Sequence, residues 1–147
     1  MIKVSIPEKE IQKALNAIKT YKEETQREIK KQVLYSAYAI QKGAKEKCPV
    51  DHGILRNSIN VEPTNNGFGA DVGTNVHYAP HVEFGTAPHV IRVKNKKALS
   101  DGKKMFGKKV NHPGTKAQPF LYPAWDQERK VFLEKAEAIL RSDKAKA

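Results

Sequence analysis

The chain of 147 residues holds a single cysteine, Cys48, so no internal disulfide can form and no metal or redox motif follows from it. One thiol fits a protein made and kept in a reducing cytosol. Long apolar runs are also missing. Nothing approaches the roughly 18 consecutive apolar residues of a membrane span, and the opening MIKVSIPEKE lacks the apolar stretch of a signal peptide. A soluble product without membrane association is expected. Acids are outnumbered, 16 Asp and Glu against 27 Lys and Arg, for a formal charge of +11. Glycine and proline are nearly absent early on, with only Gly43 and no proline between Glu8 and Lys47.

What remains is polar, with 39% hydrophobic and 29% charged residues, yet well above the composition of a disordered chain. The length suits one domain over residues 1–147. From Glu8 to Lys47, the residues Ile11, Leu15, Ile18, Ile29, Val33, Ala37, Ile40 and Ala44 recur at three- and four-residue steps. This spacing predicts a long amphipathic helix. Unbroken, about 40 residues would reach some 60 Å, too long for such a domain, so a kink is expected near Tyr21 to Thr25, where the stripe is thinnest. Cys48-Pro49 ends the helix, and Val50-Asp51-His52-Gly53 reads as a tight turn.

Ile54 to Glu62 alternates roughly and predicts a strand. Asn65-Asn66-Gly67 supplies a hairpin turn, and Phe68 to Val72 returns as the partner. Thr74 to Thr86 has room for one helical turn around Ala79 to Phe84, pinned to the core by Tyr78, Val82 and Phe84. His89 to Val93 is a third strand, answered by a returning strand at Lys108 to Asn111, and residues 94–109 are expected to form a flexible basic hairpin loop. A final helix begins near Pro123 and runs to about Arg141, carrying Leu121, Trp125, Phe132, Leu133, Ala136, Ile139 and Leu140, with residues 142–147 as a frayed tail. The fold class is therefore α+β: a long N-terminal helix and a C-terminal helix packed on a small antiparallel sheet.

The positive charge is concentrated. Arg92 to Lys116 holds nine basic residues, Arg92, Lys94, Lys96, Lys97, Lys103, Lys104, Lys108, Lys109 and Lys116, against one acid, Asp101. Such a segment suits a phosphate backbone or an acidic protein surface as neighbour, or simply a solvated lysine loop.

Three stretches carry a resemblance: CPVDHGILRNSI (Cys48 to Ile59), VGTNVHYAPHVEFGT (Val72 to Thr86) and HPGTKAQPFLYPAW (His112 to Trp125). In order and spacing they resemble the head-tail joining proteins of long-tailed phages, also labelled minor tail, tail-completion or neck proteins. His52 departs from that family's pattern, which has threonine between Asp and Gly. The resemblance covers essentially the whole chain, the basic loop being its least typical part.

It implies a non-enzymatic virion component, made in the host cytoplasm, that forms a homo-oligomeric ring at the head-tail junction around the DNA channel. Six copies are the first expectation because tail tubes of this class are six-fold, and twelve the alternative. Partners would be further copies of the chain, adjacent head-closure or tail-tube proteins, and channel DNA in non-specific contact. Asp51, Gly53, Leu55, Tyr78, Val82, Glu83, Phe84, Gly85, Phe120 and Leu121 are the expected subunit-contact or loop-anchoring residues. Asp51 suits accepting backbone hydrogen bonds in its turn, and Gly53 and Gly85 suit chain reversals. The cations from Arg92 to Lys109 would face DNA or an acidic neighbour.

Other chemistries find less in the sequence. His77 and His81 stand four apart but flank Pro80, and with His52, His89 and His112 they complete no metal-binding pattern. Asp51, His52 and Glu83 fit no hydrolase or nuclease signature, so neither a catalytic residue nor a cofactor is expected. A free nucleic-acid-binding protein is the alternative class, favoured by charge but without interleaved aromatics or a helix-turn-helix pattern.

Overall fold

The computed structural model describes residues 2–4, 8–94, 99–100, 103 and 105–146. Lys96, Lys97 and Lys104 of the basic segment lie outside the described residues, as does Pro7.

The long helical stretch is two helices, α1 (Glu8–Ile18) and α2 (Glu23–Lys47). The break falls where the apolar stripe thins. The Thr20 hydroxyl donates to the Ala17 carbonyl at 2.6 Å, and the Gln26 amide donates to the Tyr21 carbonyl at 2.8 Å, so local side-chain bonds replace the helical ladder there. Asp143, from the far end of the chain, accepts the Lys22 N–H at 3.2 Å and pairs with the Lys22 ammonium at 3.6 Å. It thereby serves the first residue of the α2 end from outside.

After α2, residues Ile54–Ser58 form the short helix α3 in place of the expected strand; β2 (Asn60–Thr64) begins only afterwards. Gly53 stands at the N-cap in a left-handed conformation, φ +76°, and its carbonyl accepts the Asn57 N–H. One tight turn of this kind buries Leu55 and Ile59 together. A turn of Asn65, Asn66 and Gly67, all at positive φ, then leads into β3 (Gly69–Thr74).

β3 is the centre of a three-stranded antiparallel sheet ordered β1-β3-β2, in which β1 is Ile2–Val4. The alternation pattern does not reveal β1. Val61 pairs with Val72, and Val4 pairs with Val72 from the other side. Gly73 has no side chain because the Ile2 carbonyl lies where a Cβ would stand.

The chain continues through α4 (Ala79–Phe84), β4 (His89–Arg92), β5 (Leu99–Ser100), β6 (Met105–Gly107) and β7 (Lys109–His112) to α5 (Leu121–Lys146). β4 pairs with β7 as the two strands expected there, and β5 pairs with β6 within the segment expected as a basic hairpin loop. α5 starts at Leu121, with Pro123 in its first turn, and runs five residues past the expected end at Arg141. Asp143 in that extension is buried rather than frayed. α5 packs along α2, where Gly43 meets Ala124 and small side chains let the helices approach. The core between these helices and the sheet is one cluster that includes Ile40, Ala44, Leu55, Ile59, Val72, Phe120 and Leu121.

Candidate functional site

The three family-like stretches meet in space. Ser58, in the first, shares a hydrogen bond of 2.5 Å with Thr74 in the second, whose hydroxyl oxygen also accepts the Val76 N–H at 3.1 Å. The turn after β3 is fixed by this pair, and α4 follows from it.

The second and third stretches are joined by Glu83. Its carboxylate is buried, 3% exposed, and accepts three backbone N–H groups: Phe120 at 2.9 Å, Leu121 at 3.0 Å and Tyr122 at 2.8 Å. These are the donors at the start of α5, which have no carbonyl of their own helix to bond. A carboxylate there also meets the positive end of the helix dipole. Glu83 is therefore the cap of α5, supplied from 38 residues before Leu121.

The residues around it complete a clasp. The Gln118 N–H donates to the Val82 carbonyl at 2.8 Å, and Thr86 and Thr115 exchange backbone bonds of 3.0 and 3.1 Å. Their hydroxyls meet at 2.9 Å. Gly85 turns between these bonds at φ +74°, and a Cβ on it would fall 2.6 Å from the Thr115 carbonyl oxygen. Gly114, at φ +83°, is pressed in the same way against the Thr86 carbonyl. Only glycine meets both the angle and the space.

The expected contact residues separate into two groups. Phe120, Leu121, Leu55 and Gly53 are buried, and Tyr78 and Val82 are half-buried against the core. Phe84, expected to pin its segment to the core, points outward and is 72% exposed. Among the described residues no backbone N–H bonds the Asp51 carboxylate; its side chain is 93% exposed and lies 3.5 Å from His52. The turn there is set by Gly53 and needs no carboxylate.

Sequence reasoning misses Tyr122, which is 57% exposed although its N–H bonds Glu83. Phe84, next to Glu83 in the chain, and Tyr122, bonded to it, are thus both aromatic and both uncovered. Val50, in the turn before α3, and Ile54, the first residue of α3, are similarly exposed. A run such as PFLYP signals burial for the group but not which member faces out.

The histidines stay apart from any such centre. Among the described residues no three His, Cys, Asp or Glu side chains gather as a metal site. His77 and His81 are exposed, and His89 stacks on His112 across the β4-β7 pair with ring centroids 4.8 Å apart. Cys48 is buried at the end of α2, and desolvation holds its thiol above the usual range, which makes it a poor nucleophile. No described helix is long and apolar enough to cross a membrane.

Comparison with protein families matches residues 9–85, just over half of the chain, to the family described as "Bacteriophage HK97-gp10, putative tail-component". The chain belongs to this family. Neither curated proteins nor solved structures give a match. The match to the phage tail-component family runs from α1 to Gly85 and so contains the first stretch and all but the last residue of the second, while the segment from β4 to α5 lies beyond it. Glu83 and Gly85 stand at its end and carry the family's part of the fold into α5.

Proposed function

We propose that the chain is a non-enzymatic structural subunit of the head-tail junction of a tailed phage, where copies form a closed ring around the DNA channel. The observation that carries this is the use to which the family-like residues are put. Ser58, Thr74, Glu83, Gly85 and Thr115 hold backbone together, and the group they form presents Phe84 and Tyr122 to the outside instead of lining a cleft. Exposed aromatics on a rigid mount suit contact with another protein surface. A ring needs such a patch on each copy to meet a different patch on the next.

The ring has six copies in this reading, twelve being the alternative, with head-closure and tail-tube proteins above and below it. Deleting the gene from the phage that encodes the chain should yield DNA-filled heads and separate tails, seen by negative-stain microscopy, with titre abolished. Joined, infectious particles without the chain would overturn the proposal.

A further inference from the structure

The β4-β7 pair leaves a basic face that the clasp does not use. Register sets Arg92 opposite Lys109 and Val90 opposite Asn111, and alternate residues share a side, so these four lie on one side of the ribbon. All four are exposed. The Val93 N–H donates to the Lys108 carbonyl at 3.0 Å, which carries the pairing one residue further toward the exposed Lys94. The opposite side holds the stacked His89 and His112 with the half-buried Ile91 and Val110.

Some cations elsewhere in the molecule pair with carboxylates, as Lys3 does with Asp71, Lys22 with Asp143 and Arg129 with Asp126. Among the described residues none of Arg92, Lys94 and Lys109 has an ion-pair partner. From Thr86 to Tyr122 the sequence offers a single acid, Asp101. Such a face attracts an anion of extended shape.

We propose that this face binds duplex DNA through its phosphates, without reading bases. The source of the DNA rests on the head-tail reading above, since a genome passes through that junction. Duplex DNA fits better than an acidic protein because protein interfaces are poor in lysine and built around apolar side chains, and this side of the ribbon has only Val90. It fits better than single strands because the face carries no aromatic ring on which an unpaired base would stack. A two-stranded ribbon is narrow enough for the major groove, about 12 Å wide, so that Arg92 on one strand and Lys109 on the other reach the flanking phosphates.

The test is fluorescence anisotropy of a labelled random-sequence duplex of about 20 base pairs with the full chain, across salt from about 50 to 200 mM. Binding is expected to weaken steeply with salt and to be equal for two unrelated sequences. The Arg92→Gln/Lys109→Gln variant should flatten the slope of log affinity against log salt by about 2, near 0.9 for each phosphate that is no longer neutralised. Its melting temperature should match the parent, and Arg92→Gln/Lys94→Gln, alternate residues on the same side, provides a second pair if it does not. An unchanged slope in both variants would overturn the proposal, as would a preference for one sequence. Tighter binding to polyglutamate than to the duplex would overturn it in favour of an acidic protein. Failure to bind DNA here leaves the deletion result untouched, so the two readings fail separately.

Discussion

Replacing Glu83 by Ala is expected to lower the stability of the folded chain by about 3 kcal/mol, because three backbone donors lose their acceptor at once. Two of these bonds are buried, so water does not easily replace the carboxylate. An unsatisfied buried N–H costs about 1–3 kcal/mol, and the helix also loses its cap and a favourable charge at its positive end. In a domain of this size the melting temperature should fall by about 10 °C. Glu83→Gln keeps one carbonyl oxygen and turns the other acceptor into a donor facing N–H groups, for a cost of about 2 kcal/mol. Thermal unfolding followed by circular dichroism checks both. If Glu83→Ala melted with the parent chain, the cap would not be what holds α5 to α4.

The double substitution Phe84→Ser/Tyr122→Ser should do the reverse. At 72% and 57% exposure, neither ring contributes much to the core. Stability should therefore stay within about 0.5 kcal/mol of the parent, as surface changes usually do. Assembly should fail. If each ring is an interface anchor at about 2 kcal/mol, removing both weakens every subunit interface by about a thousandfold, and a closed ring repeats that interface at each copy. The measurement is complementation of the deleted phage with the variant chain, scored as joined particles and titre. Normal joining by a normally folded variant would remove Phe84 and Tyr122 from the contact surface.

These two residues also mark where the sequence stops being informative. The helices other than α3, the Asn65-Asn66-Gly67 turn and the β4-β7 pairing are legible because periodicity and turn chemistry are local. α3 reads as a strand because five residues do not complete enough turns to display a helical period, and the alternation of Ser58 to Glu62 directly after it draws it into β2. β1 is three residues whose partner lies about 70 positions away, beyond any local pattern. Glu83 and Asp143 are the same lesson in charge. A carboxylate reads as surface by its chemistry, and only tertiary contact with Leu121 or Lys22 takes it inside. Phe84 is the converse, since an apolar residue reads as core until the structure shows its side. The clustering of the three stretches has no sequence signal beyond their shared resemblance.

In the proposed role this tail-family chain is a ring subunit at the head-tail junction. A cryo-electron microscopy reconstruction of the neck of intact virions tests it most directly. The predicted result is a closed ring of this α+β subunit between head and tail, with Phe84 and Tyr122 against the neighbouring copy and the β4-β7 ribbon turned to the channel. Finding the chain elsewhere in the particle, or as isolated copies with both aromatic side chains in solvent, would contradict it.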